Sequence, residues 1–315
     1  MIFFWIVLSA AAFLTLCALL TAYICFFRVF YNSDKAKNVP EFSIPEGDIY
    51  EPYREEMINW IKKKRALPHT VVSTTSFDGL TLYGEFFEYA PGAPIELMFH
   101  GYRGNAERDL SGGVFRCRRL GHSTLLVDQR AAGKSGGNVT GFGVTECRDC
   151  LAWIDFIINN IDPNAKIILT GVSMGAATVT LAAGHDLPQN VVGVLADCGY
   201  TSAREIISKV MDEMKLPSKL LYPFVRLGGQ LFGHFDPDAD SPIQAAARSQ
   251  VPIIFIHGDA DAFVPCDMSR RNFEACASEQ KRLVTIPNAG HGLAYSTAPE
   301  LYISVLHEFF DPLTK

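Results

Sequence analysis

The chain opens on the least polar stretch it contains. From Met1 to Phe27 no side chain is charged, and a helix over such a run is long enough to cross a bilayer. The pattern predicts a membrane anchor over residues 1–31. A cleaved signal peptide would need a basic leading region and a shorter apolar core. Arg28, Lys35 and Lys37 follow the run and nothing basic precedes it, so the positive-inside rule places the remainder on the cytoplasmic side. Residues 32–50, which include Pro40, Pro45 and Gly47, read as a linker. Over 51–65, Met57, Trp60 and Ile61 recur at helical spacing among charged neighbours, which predicts a helix packing one face on a domain that runs to residue 315.

Beyond residue 70 the pattern alternates. Short runs rich in apolar and β-branched residues at 71–75, 80–89, 95–99, 123–127, 167–170, 191–196, 253–256 and 282–286 predict eight strands. Helical periodicity at 106–120, 144–160, 174–185, 266–277 and 299–310 falls between or after them. Such alternation predicts an α/β domain, a mostly parallel sheet with helices on both faces. One insertion breaks the rhythm at about 200–248, where Ile206, Ile207 and Val210, then Leu220, Leu221, Phe224 and Val225, form apolar faces. Because it follows the C-terminal end of a strand, where α/β sheets bind ligands, it is expected to be a helical cap over an active site. Extra helices completing the core are the alternative.

Composition narrows the function. In 315 residues, 48% hydrophobic content supplies a sizeable core, and a net charge of -6 argues against a nucleic-acid partner. The eight cysteines are scattered, and the Cys147/Cys150 pair lies in an expected helix without a second pair, so these read as buried or idle thiols rather than a metal site. No metal or organic cofactor is expected.

The chemistry concentrates where the fifth strand meets a helix. Gly171-Val172-Ser173-Met174-Gly175 puts Ser173 on a sharp turn, with glycines where strand and helix must approach. Its Oγ is the candidate nucleophile, and the N–H of Met174 at the new helix's start is a candidate oxyanion donor. With the strands in this order, the chain from about residue 71 resembles the α/β-hydrolase fold. His100-Gly101-Tyr102-Arg103-Gly104 follows the third strand, and the resemblance implies that the Tyr102 N–H is the second oxyanion donor. Asp128-Gln129-Arg130-Ala131-Ala132-Gly133 is similar to a family turn in which glycine stands where this chain has Ala131. His257-Gly258-Asp259-Ala260-Asp261 after the seventh strand implies Asp261 as the acid, and Asn288-Ala289-Gly290-His291-Gly292 after the eighth implies His291 as the base. Asp197, at the end of the sixth strand, is the rival acid, while His100 and His257 are assigned structural roles.

The resulting expectation is a membrane-anchored serine hydrolase that cleaves a carboxylic ester or thioester through an acyl-enzyme on Ser173. Its partner would be a small-molecule or lipid-like acyl substrate. The alternatives are a serine peptidase of the prolyl-oligopeptidase type, and a catalytically silent binding or scaffold protein.

Overall fold

A computed structural model describes residues 1–33 and 41–314; Lys35, Lys37 and Pro40 lie outside the described residues. The first helix, α1 (Ile2–Val29), is followed by α2 (Arg54–Ala66), and the sheet then forms from β1 (Thr70–Thr75), β2 (Thr81–Phe87), β3 (Ile95–Phe99), β4 (Ser123–Val127), β5 (Ile167–Val172), β6 (Val191–Asp197), β7 (Ile253–Gly258) and β8 (Lys281–Ile286). Their order is β1-β2-β4-β3-β5-β6-β7-β8. The first two strands run antiparallel to their neighbours and the other pairings are parallel. Every residue of β3, β4 and β7 is buried, as expected of strands covered on both faces.

Helices α3 (Ala106–Leu120) and α11 (Pro299–Thr314), the latter preceded by the short α10 (Ala294–Thr297), cover one face, with α2 packed outside α3; α4 (Glu146–Asn160), α5 (Met174–Ala182), α8 (Pro242–Ala246) and α9 (Cys266–Ala275) cover the other. The turn from β5 to α5 is the tightest point. A Cβ on Gly171 would lie 2.1 Å from the carbonyl of Gly175, and one on Gly175 would lie 2.0 Å from the Phe99 oxygen. Both contacts are with backbone that no side-chain rotation can relieve. Gly175→Ala is therefore expected to cost several kcal/mol and to leave little folded protein, read by thermal unfolding; an unchanged melting temperature would refute this account of the turn.

The insertion forms α6 (Ala203–Glu213) and α7 (Ser218–Phe232), but its apolar faces have a different partner from the one expected. They bury Phe26 and Phe30 at the end of α1, together with Phe142, Met174 and Tyr200. Gly228 of α7 comes so close to α1 that a Cβ would lie 2.4 Å from the Ala22 oxygen. Just past α1, Phe30 to Asn32 stay on the domain. Tyr31 bridges Val139, Thr140 N–H donates to Phe30 O at 2.9 Å, and Asn32 N–H donates to Asn138 O at 2.7 Å. Residues 45–50, expected as the far part of a linker, pack instead beside the loop after β8, with Ile49 against Gly290.

Candidate active site

Ser173 has φ 58° and ψ −115°, a conformation disfavoured for any residue with a Cβ. Sheet and helix together impose it: the Ser173 N–H donates to Asp197 O of β6 at 2.9 Å, while Ser173 O accepts from Ala177 N–H in α5 at 3.1 Å. The serine is thus held at the C-terminal edge of the sheet, with Met174 as the first residue of α5, one of the N–H groups a helix leaves without an internal acceptor.

The loop after β8 brings His291 to this point. Its Nε2 lies 2.9 Å from Ser173 Oγ and its Nδ1 lies 2.7 Å from Asp261 Oδ2. A carboxylate can only accept, so Nδ1 carries the hydrogen and Nε2 is left to accept from the serine hydroxyl. Asp261 also accepts from the Phe263 and Val264 N–H groups at 2.9 and 2.8 Å, and lies 3.2 Å from His257 Nε2. Burial opposes its ionisation, but the hydrogen bonds from His257 and His291, the charge of His291 and the Val264 N–H outweigh that and hold its pKa at about 2. Asp197, the rival acid, instead accepts from Tyr302 Oη at 2.8 Å, and burial raises its pKa.

Three supports of the histidine loop escaped the sequence reading in whole or part. Tyr50 Oη donates to His291 O at 3.0 Å. Asp259 accepts from the N–H of Asn288, a residue at φ 60°. His257 is structural as expected, yet it acts on the acid itself, bridging Asp261, Val264 O and Ser269.

On the opposite side of Ser173 runs the 100–104 turn. A Cβ on Gly101 would stand 3.6 Å from Ser173 Cβ, so the backbone passes in contact with the serine. Asp109 on α3 fixes it by accepting from Gly101 N–H at 3.0 Å, its own carboxylate clasped by Arg108. His100 ties this turn to the next: its Nε2 accepts from Gln129 N–H at 3.0 Å, and its Nδ1 hydrogen then points at Gly101 O, 2.8 Å away. Ala131, where the family pattern has glycine, sits at φ 60°, so the turn keeps a left-handed position despite the Cβ. The Tyr102 side chain points away from the serine, its Oη donating to Val29 O of α1 at 2.6 Å.

Residues 97–305 match the model described as the alpha/beta hydrolase family. The chain belongs to this family. Among similar proteins, an uncharacterised protein of Bacillus subtilis, YqkD, is 28% identical over 193 residues, 61% of this chain and 63% of that one. An uncharacterised membrane protein of Saccharomyces cerevisiae, YNL320W, is 23% identical over 55% of this chain and 56% of that one. The matched stretch thus spans less than two thirds of either relative. The solved structure of the Pyrococcus furiosus esterase Pf2001 superposes with a TM-score of 0.66 at 20% identity, covering 88% of this chain and 99% of that one, which shows a shared fold.

Beside Ser173 and His291 the domain has a cavity of about 490 Å³. Its apolar walls are Met57, Trp60, Met98, Leu110 and Val172, and residues 45–50 close one side. Gly112 of α3 makes room for the Trp60 ring, since a Cβ there would lie 2.6 Å from it. Among the described residues, none from 200–248 lines this cavity. The cap expected over the site is therefore not its wall: the buried face of α7 is used against α1, and α6 packs on α7. The cavity also reaches Arg116, Thr170, Asp197 and Tyr302. There Arg116, His122 and Thr170 converge on Glu96, a fully buried carboxylate of β3 that Arg116 holds well below the usual range against the opposing pull of burial.

Proposed function

We propose that this protein is a serine hydrolase that cleaves a carboxylic ester or thioester through an acyl-enzyme. The observation that carries the reading is the hydrogen-bonded relay from Ser173 through His291 to Asp261, set at the mouth of an apolar cavity. Attack by Ser173 Oγ on the carbonyl passes the hydroxyl proton to His291 Nε2 as the serine–acyl bond forms. The histidine then returns that proton to the departing alkoxide or thiolate, and water repeats the sequence to release the acid. Asp261 fixes the imidazole tautomer and stabilises its cation, and the N–H groups of Met174 and Tyr102 receive the oxyanion.

The cavity walls suit an acyl chain rather than a bulky polar group. Turnover of esters should rise with chain length from acetyl, by up to about fourfold per methylene until the cavity is full; a flat series would remove the acyl-pocket assignment. A fluorophosphonate probe tests the nucleophile: the full chain should label rapidly and Ser173→Ala should not, whereas equal labelling of both would refute the reading.

In the same reading, the apolar first part of α1 crosses the membrane once, the residues from Ala22 to Tyr31 pack on the domain, and the catalytic domain, residues 51–315, lies on the cytoplasmic side. Arg28 after the apolar run supports the orientation, and the likeness to a yeast membrane protein supports membrane association. Digestion of the domain by protease added outside sealed cells would reverse the orientation.

A further inference from the structure

Helix α7 carries two apolar faces, one buried by protein and one covered only in part, with Phe224 and Leu227 half-buried and Leu220 and Leu231 exposed. At 100° per residue, Leu221, Val225, Gly228 and Phe232 point to one side; Val225 is fully buried, Gly228 packs on Ala22 and Phe26, and the Phe232 ring meets Tyr23 at 5.2 Å. About a quarter turn away, Leu220, Phe224, Leu227 and Leu231 follow one another at i, i+4, i+7 and i+11. Leu220 is 65% exposed and Leu231 45%. The turn before the helix adds Met214 at 66% and Leu216 at 41%, with Lys215 and Lys219 exposed beside them.

We propose that this second face rests in the headgroup and upper acyl region of the bilayer that α1 crosses, so the domain is held against the membrane by α7 as well as by its anchor. The proposal depends on α1 being a span. The argument for lipid as the occupant is one of length and continuity. From Ile2 to Thr21, α1 rises about 30 Å, the thickness of a hydrocarbon core, and its most apolar window is not buried by protein. The residues that follow, Ala22, Phe26 and Phe30, are the ones the domain buries. The membrane boundary therefore falls within a turn of Tyr23, and Tyr23 touches α7. A helix fixed at that level, with an apolar face exposed at both of its ends and flanking lysines, has the composition of one lying in the interface plane, where such faces sit about 5–10 Å into the boundary. Tyr102, which lines the cavity and bonds to Val29 O, is then one side chain from the anchor, and an ester resident in the membrane has a short path to Ser173.

The test uses the full chain in vesicles of phosphatidylcholine brominated on the acyl chains near the headgroup, with tryptophan quenching as readout. In a Trp5→Phe background, the added emission of Leu220→Trp and of Leu231→Trp should each be quenched relative to unbrominated vesicles, as expected for rings at interfacial depth. Asn164→Trp, on the exposed loop before β5 at the end of the sheet remote from Ser173, should lose none. Fluorophosphonate labelling of each variant checks that it is folded. Quenching of Trp5 in the unmodified chain reports the span separately. Trp5 quenched with Trp at 220 and 231 unquenched would overturn the docking while leaving the span, and Trp5 unquenched would overturn both; neither result touches the serine-hydrolase reading. Absent quenching at 220 and 231, with Leu220→Glu/Leu231→Glu converting a dimer to a monomer in nanodiscs, would assign the face to a second copy and also overturn the proposal.

Discussion

Asp261→Asn should lower ester turnover on the order of 10⁴-fold while leaving the fold intact, because the amide can present its NH₂ to His291 Nδ1 and so favour the tautomer that cannot accept from Ser173. Asp197→Asn should retain far more activity, since Asp197 is bonded to Tyr302 and not to His291. Steady-state kinetics of the two variants decides between them, and the opposite ranking at equal thermal stability would move the acid to β6. The substitution also has a stability signature. The Asp261 carboxyl is depressed from 3.8 to about 2 in the folded protein, so it contributes about 2 kcal/mol above pH 4, lost as pH falls through 2. Asp261→Asn should remove that part of the acid-side decline. An acid limb identical in both proteins would mean that the carboxylate is not held by these hydrogen bonds.

Phe30→Ala should destabilise the catalytic domain by about 3–5 kcal/mol, the usual cost of emptying a buried aromatic site, although Phe30 belongs to the stretch expected to be a mere anchor. Its ring is 1% exposed and packs edge-on against Phe142 and Phe235 at centroid distances of 5.8 and 5.0 Å. The same end of α1 accepts hydrogen bonds from Tyr102 and Arg103, so the 100–104 turn beside Ser173 should loosen as well and turnover should fall. Phe13→Ala, on the exposed part of α1, should alter domain stability by less than about 0.5 kcal/mol. Unfolding of the full chain in nanodiscs measures both, and equal effects would show that the domain does not depend on its contact with α1. By the same reasoning, a fragment lacking residues 1–31 exposes the surface around Phe142 and Tyr200 and is a poor stand-in for the full protein.

The contrast between these two predictions marks what the sequence could show. The strands along the chain and the Ser173 turn were legible because they rest on local signals: β-branched runs, glycines at fixed offsets from the serine, and a helix starting at the next residue. His291 and Asp261 were singled out by the resemblance of the segments after β8 and β7 to those of the family, and the structure puts the two 2.7 Å apart. What periodicity could not reveal was the partner of each apolar face. The stripes of α6 and α7 are equally compatible with a cavity or with α1, and only tertiary packing distinguishes them. Tyr50, Asp109 and the Glu96–Arg116–His122 cluster were missed for a related reason: each acts on a residue far away in the chain, and neither a lone tyrosine in a proline-containing segment nor an acid in a helix's first turn announces its acceptor or donor. Ala131 gave a signal of the opposite kind, a departure from pattern at which the turn nevertheless retains its left-handed geometry.

The most direct test of the central claim is to catch the covalent intermediate. Rapid mixing of the full chain with a slowly deacylating ester, acid quench and peptide mass mapping should show one acyl group per chain on the peptide that contains Ser173, with a burst of alcohol of matching size. Ser173→Ala should give neither burst nor adduct. Steady turnover of the ester with no adduct on Ser173, or with the acyl group mapped to another residue, would contradict the account.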